Sequence, residues 1–229
     1  LSGEPQISQF PGGASNLTYL LEYPQQEFVL RRPPFGHKAK SAHDMGREYR
    51  ILNQLNTGFP YCPKAYVHCT DESVIGAEFY VMQRVNGIIL RADLPAELNF
   101  SPEQTTQLCK SFIDKLVELH NVDYQACGLG DLGKPEGYVA RQISGWSDRY
   151  EKALTPDAPL WTEVKAWLNE KMPADHPKSA IVHNDYRFDN VILDPRDPQR
   201  IIGVLDWELT TLGDPLMDLG NTLAYWIEA

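Results

Sequence analysis

Cysteine and histidine are scarce and dispersed in this chain. Its 229 residues hold four cysteines, Cys62, Cys69, Cys109 and Cys127, none spaced as a CxxC pair, and six scattered histidines. Neither a disulfide framework nor a tight zinc site fits that spacing. Each cysteine is therefore expected as a small buried hydrophobe in a reducing compartment. No stretch approaches the ~18 apolar residues that would read as a membrane span. No secretory leader pattern stands at the amino end, so the cytoplasm is the expected location and no membrane partner is expected. Basic residues are in deficit, 21 Lys and Arg against 31 Asp and Glu, a formal net charge of −10. A surface of that balance does not track a polyanion, and no nucleic-acid partner is expected. Internal repeats and low-complexity tracts are also missing.

What is present is the composition of an ordinary globule, 42% hydrophobic and 23% charged, long enough to bury a core without staples. The length exceeds the prior of about 150 residues for one domain, so one large domain or two coupled lobes is expected. The first third reads as short strands at 7–10, 17–23, 28–32, 65–70 and 78–85, with Gly and Pro punctuation between them. Residues 42–56 read as a helix, with Met45, Tyr49, Leu52 and Leu55 at steps of three and four. Glu48 falls inside that apolar stripe. From Ser101 the pattern turns helical, because Ser101-Pro102-Glu103-Gln104 is a capping-box start with Pro at the first helical position. Further helices are expected at 137–153, 159–171 and 214–227, the second with Trp161, Val164 and Leu168 on one side. Short β runs are expected at 180–182, 191–193 and 201–205. The expected fold class is α+β: an antiparallel-sheet lobe with one helix over residues 1–86, then a mainly helical lobe over 87–229.

The strongest chemical signal is the run from Ile181 to Asn190. It places Asp185 two residues after His183, and Asn190 five residues after Asp185, in a turn between two short strands. Asp206 follows 21 residues after Asp185, at the end of an apolar strand, in Asp206-Trp207-Glu208. Phosphoryl transfer from ATP needs such parts: a carboxylate to orient and deprotonate an acceptor hydroxyl, and hard oxygens to hold Mg²⁺ on the phosphates. A single Asp here would read as an Asx-turn or a solvated loop residue. Four matches in order within 26 positions make the kinase reading the stronger one.

In these residues the chain resembles the aminoglycoside phosphotransferase and choline kinase group, of protein-kinase-like fold. The likeness rests on His183-x-Asp185-x-x-x-x-Asn190, on Asp206-Trp207-Glu208, and on Gly213-Asp214-Pro215 with Asp218-Leu219. The glycine loop and the catalytic run look most like the branch that includes kinase domains attached to acyl-CoA dehydrogenases. The resemblance implies Asp185 as catalytic base, Asn190 and Asp206 as metal ligands, Glu208 as support for the metal shell and His183 as a packing residue. It implies ATP and Mg²⁺ as cofactors. Asp189 is expected to be structural, and Asp214 and Asp218 are expected to cap the last helix.

For the nucleotide, Gly12-Gly13-Ala14-Ser15-Asn16 lies between two strands, where backbone N–H groups with Ser15 and Asn16 would approach phosphates, although a plain hairpin turn reads the same. Arg31 stands where kinases carry a strand lysine and looks like the cation for the phosphates, with Arg32 as competitor. Arginine keeps the charge but changes the geometry. Glu48 would carry a desolvation cost unless Arg31 meets it or it reaches water at the stripe's edge. Met82, Gln83 and Val85 resemble the strand leading to an adenine-binding hinge.

The expected activity is a kinase for a small-molecule hydroxyl acceptor: an aminoglycoside, a choline-like alcohol, or a hydroxylated acyl or other metabolic alcohol. The alternative is a pseudokinase-type nucleotide-binding module without phosphotransfer, for which Arg31 leaves room. A two-metal phosphatase would need a denser His/Asp cluster. The start at Leu1 rather than Met, and the ten residues that follow Leu219, give the expectation of an excerpt that holds the acceptor pocket only in part.

Overall fold

The structure is a computed structural model that describes residues 2–11, 16–34, 44–91 and 93–226. Five strands form one antiparallel sheet: β1 (Gln6–Gln9), β2 (Leu17–Glu22), β3 (Glu27–Arg32), β4 (Ala65–Cys69) and β5 (Phe79–Gln83), in the order β1-β2-β3-β5-β4. β3 lies at its centre, so Arg31 at its far end is paired on both sides, with Thr18 of β2 and Tyr80 of β5. Helix α1 (Met45–Leu55) packs against β4 and β5. Its start is fixed by Asp44, whose side chain accepts from the Arg47 N–H at 2.8 Å. Met45, Glu48, Ile51, Leu52 and Leu55 all face inward, at helical spacing.

The second half is helical with two short ribbons. Helix α2 (Pro102–His120) opens with the expected capping box and buries Leu108, Phe112, Leu116 and Leu119. Helices α3 (Tyr138–Ala153) and α4 (Thr162–Glu170) follow. Then β6 (Ala180–Val182), β7 (Val191–Leu193), β8 (Ile201–Val204) and β9 (Thr211–Gly213) pair as β6-β9 and β7-β8, and α5 (Pro215–Ala224) closes the described chain. Strand β9 has no counterpart in the sequence reading, because three residues with one apolar side chain between Thr and Gly carry no detectable period. The architecture is the expected α+β, a small sheet lobe with one helix beside a mainly helical lobe.

Two expectations are corrected. The stripe on α4 does not face a core: Trp161 and Val164 are exposed, α4 buries no residue, and Trp161 caps the helix in the left-handed region at φ 49°. Asp214 does cap α5, accepting from the Leu216 N–H at 2.8 Å, but Asp218 is a buried acceptor and not a cap. None of the described helices is long and apolar enough to cross a membrane.

One apolar core runs through both parts and positions the chemistry. Val29, Ile51, Leu52 and Met82 join Leu116, Tyr186, Val191, Val204 and Trp207 in a single buried cluster. Backbone stitches reinforce it: Ile88 and Leu193 exchange both N–H···O bonds, at 3.0 and 2.8 Å, and the Val204 N–H donates to Tyr61 O at 2.8 Å. Gly87 allows the first of these, since a Cβ there would collide with the Leu193 carbonyl oxygen and Ile192 Cγ2. Gly87→Ala is therefore expected to cost about 1–3 kcal/mol of overpacking strain, read as a lowered midpoint in denaturant unfolding. An unchanged midpoint would show that the chain after β5 does not depend on this close approach.

Candidate active site

Arg31 is the centre of a buried cluster of charges. Its guanidinium is 2.6 Å from Glu48 Oε1, 3.3 Å from Asp206 Oδ1 and 3.4 Å from Glu208 Oε2. Three carboxylates from two distant parts of the chain thus share one buried cation. Burial opposes its charge, but Glu48 first, then Tyr80, Asp206 and Glu208, hold it more firmly protonated than a free arginine. Glu48 lies in the most desolvated position. Burial pushes its carboxyl up to about 7, against the pull of Arg31, while Asp206 and Glu208 add to the rise. Arg32 points elsewhere, donating to Pro33 O and Ile75 O, and does not enter this cluster.

Asn16, at the end of the glycine-rich segment, is buried and donates through Nδ2 to Glu208 Oε2 at 3.0 Å. Ser15 lies outside the described residues. Glu208 is itself anchored, since Arg47 of α1 donates to its backbone oxygen at 3.0 Å. Asp206 sits at φ 65°, a left-handed conformation that costs a non-glycine residue energy and is kept only where surroundings dictate it. They do so here. Trp207 is buried to 1% exposure, donates Nε1–H to Val204 O at 2.9 Å, and packs on Phe59 and His183. With Trp207 driven into the core, the Asp206 carboxylate is left outside it, its side chain 35% exposed.

The loop from His183 to Asn190 hangs from Asp218. That fully buried carboxylate accepts from the His183 N–H and the Asn184 N–H, both at 2.8 Å, and lies 2.9 Å from His120 Nε2. Burial works against its charge, yet these hydrogen bonds hold its pKa below its ordinary value. Asn184 at φ 63° makes the sharp turn, fixed by Tyr138, Leu209 and Asn221 around it. His183 is fully buried. Its Nδ1 accepts from the Asp185 N–H at 3.3 Å, so the Nε2 facing Leu205 O at 2.9 Å carries the proton. A histidine so committed is a neutral scaffold.

Asp185 emerges from this loop with both oxygens engaged. Asn190 Nδ2 donates to Oδ2 at 2.8 Å and also to the Asp185 backbone oxygen at 2.9 Å. The Tyr225 hydroxyl donates to Oδ1 at 2.9 Å. Burial and then Asp185 itself push the Tyr225 phenol up, so it remains a donor at neutral pH. The Asn190 amide oxygen is left for another ligand. Asn190 is tied to the Asp206 strand end as well, its backbone oxygen accepting from the Leu205 N–H at 2.8 Å.

Tyr225 and Arg187 are absent from the sequence reading. Tyr225 carries no local signal, being 40 residues from Asp185 in the chain; Arg187, a cation two residues past Asp185, is visible in the sequence. Asp189 grips Arg187 through two oxygens, which confirms its structural character and shows its object. Of the hinge residues, Met82 is buried in the core beside Val29, and the Val85 side chain lies over Gly203. Gln83 is committed to the sheet: its N–H donates to Lys64 O at 2.8 Å, and its side chain accepts from the Lys64 N–H. None of the three contacts the Arg31 cluster.

No three His, Cys, Asp or Glu side chains form a ready-made metal cage among the described residues. Mg²⁺ does not require one, since it keeps waters and phosphate oxygens and takes one or two protein oxygens. Asp206 and the Asn190 amide oxygen, both hard donors at one end of β8, fit that demand.

Residues 6–229 match the model of the phosphotransferase enzyme family. The chain belongs to that family and has its protein-kinase-like fold. Among curated relatives, acyl-CoA dehydrogenase family member 11 of Gallus gallus is 39% identical over 227 residues, 98% of this chain and 28% of the relative. The Homo sapiens protein of the same name is 38% identical over 216 residues, 94% of this chain and 27% of the relative. The chain thus spans little more than a quarter of the relatives it matches. Among solved structures, a Ralstonia eutropha JMP134 protein assigned as an aminoglycoside phosphotransferase superposes with a TM-score of 0.84 at 37% identity, covering all of this chain and 67% of that one. A GDP and kanamycin complex of an aminoglycoside phosphotransferase shares the fold at TM-score 0.69 and 15% identity, over 97% of this chain and 73% of that one.

The Glu48 environment yields a pH prediction. Unfolded, this carboxyl releases its proton near 4.5; folded, it keeps it to about 7. Between those values the native state binds more protons, so the Glu48 contribution to stability falls as pH rises from about 4.5 to 7 and is level above. Glu48→Gln is expected to remove that decline, about 3 kcal/mol in all, so the difference from wild type in denaturant unfolding shifts toward the variant across this window. A difference that stays constant with pH would contradict the assignment.

Proposed function

We propose that the chain transfers the γ-phosphoryl group of ATP to the hydroxyl of a small molecule, with Asp185 as base. The observation that carries this reading is the juxtaposition of Asp185, Asn190 and Asp206 beside a buried arginine whose other partner is Glu48. Phosphoryl transfer asks little covalent chemistry of the protein and much positioning and charge stabilisation, and these residues supply both. In this reading Arg31, aligned by Glu48, reaches the phosphates together with Ser15 and Asn16. Met82 and Val85 border the adenine at the hinge, with Gln83 at the hinge strand. Asp206 and Asn190 hold Mg²⁺, which when bound neutralises phosphate charge. Asp185 accepts the acceptor's proton through Oδ1, while Asn190 on Oδ2 keeps the carboxylate in register. The division between the nucleotide lobe and the catalytic lobe falls at residues 86 and 87, just before the Ile88 to Leu193 pairing.

Arg31 takes the place of the lysine in this reading. Its planar fork holds Glu48 closely at 2.6 Å, and its longer contacts to Asp206 and Glu208, at 3.3–3.4 Å, are the ones a phosphate would replace. For the acceptor, the names of the curated relatives place a domain of this kind with acyl-CoA dehydrogenases, so hydroxylated acyl compounds belong in the test panel beside aminoglycosides and choline-like alcohols.

Mg²⁺-dependent ATP consumption across that panel is expected to fall at least ~100-fold in Asp185→Asn, the size of a general-base effect. Nucleotide binding with no turnover for any acceptor would favour the non-catalytic module instead. Asp206→Ala is expected to abolish the Mg²⁺-dependent part of the thermal shift produced by ATP; a shift that survives unchanged would remove Asp206 from the metal site.

A further inference from the structure

Tyr225 places a hydroxyl of the chain itself where an acceptor hydroxyl is required. A general base must lie within about 2.6–3.2 Å of the oxygen whose proton it takes. The Tyr225 hydroxyl is 2.9 Å from Asp185 Oδ1, on the oxygen not held by Asn190. Tyr225 is 50% exposed and not sealed in the core. A cation accompanies it: the Arg187 guanidinium lies 5.1 Å from the Tyr225 ring centroid, and Asp189 fixes it by a two-point grip. Next door, Trp226 stacks on Phe188 with their planes 7° apart, which ties this end of the chain to the catalytic loop.

We propose that Tyr225 is a site of self-phosphorylation, the in-chain acceptor of the same base that serves the small-molecule reaction. The proposal rests on the reading of Asp185 as that base. In the step, the phenolic proton passes to Asp185 Oδ1 as the Tyr225 oxygen bonds to the γ-phosphorus of ATP. The bond from that phosphorus to the β–γ bridging oxygen breaks, and ADP leaves with its electron pair. Arg187 faces the charge that develops on the phenolic oxygen and on the transferred group. It then pairs with the phosphotyrosine product by charge-assisted hydrogen bonds.

The test incubates the full chain with Mg²⁺ and γ-labelled ATP, without added acceptor, and maps the label by peptide mass spectrometry. The expected result is label on Tyr225, formed at a rate per molecule that does not change over a ~10-fold range of protein concentration. It is expected to be absent in Tyr225→Phe and at least ~100-fold slower in Asp185→Asn, with thermal melting confirming that both variants fold. Label on another residue, label insensitive to Asp185→Asn, or no label overturns the proposal. A parallel acceptor screen separates the two readings. Turnover of a small alcohol with Tyr225 unlabelled leaves phosphotransfer standing and removes self-phosphorylation; no turnover, no label and no Mg²⁺-dependent ATP binding removes both.

Discussion

The site depends on one buried arginine shared among carboxylates that the chain brings from far apart. Arg31 ends the central strand of the sheet, Glu48 lies one turn into α1, and Asp206 and Glu208 follow β8. A buried charge is tolerated only when it is paired and hydrogen-bonded, and removing one partner leaves the other stranded. This requirement couples the sheet, the helix and the catalytic segment in a single register. The pairing is unequal, because Glu48 is fully enclosed whereas Asp206 keeps a third of its side chain open. The enclosed partner aligns the cation, and the open one remains available for ligand chemistry.

The catalytic loop is organised by a second buried charge. Asp218 at the start of α5 accepts two consecutive backbone N–H groups, from His183 and Asn184. That holds Asn184 in its left-handed turn and presents Asp185 outward. His183 and Trp207, packed at a tilt with ring centroids 4.9 Å apart, then link this loop to the segment that carries Asp206. The proposed base and metal ligands are therefore positioned by buried side chains set behind them. In phosphoryl transfer, where geometry supplies most of the catalysis, that is where rigidity is needed.

Much of this was legible in the sequence because it is local. The capping box fixed the start of α2, the alternating strands gave the sheet, and the spacing of His183, Asp185, Asn190 and Asp206 announced the chemistry. Even the buried pair of Arg31 and Glu48 was foreseeable, since a carboxylate inside an apolar helical stripe requires a cation. What was not legible is non-local. Asp218 has the sequence of a helix cap, and only the packing of α5 against β6 turns it toward the loop. The stripe on α4 has core-like spacing, yet Trp161 and Val164 stay exposed and the helix buries no residue. Tyr225 reaches Asp185 only through the fold, and no spacing rule connects two residues so far apart in the chain.

The central claim is that Arg31, held by Glu48, is the phosphate-binding cation of a nucleotide site. Calorimetric titration of Mg²⁺ with a non-hydrolysable ATP analogue into wild type and Arg31→Met tests it most directly. Loss of a charge-assisted contact worth about 1.5–3 kcal/mol predicts binding weaker by ~10-fold or more, with Arg31→Lys recovering part of the loss. Equal affinity in wild type and a folded Arg31→Met would contradict the account.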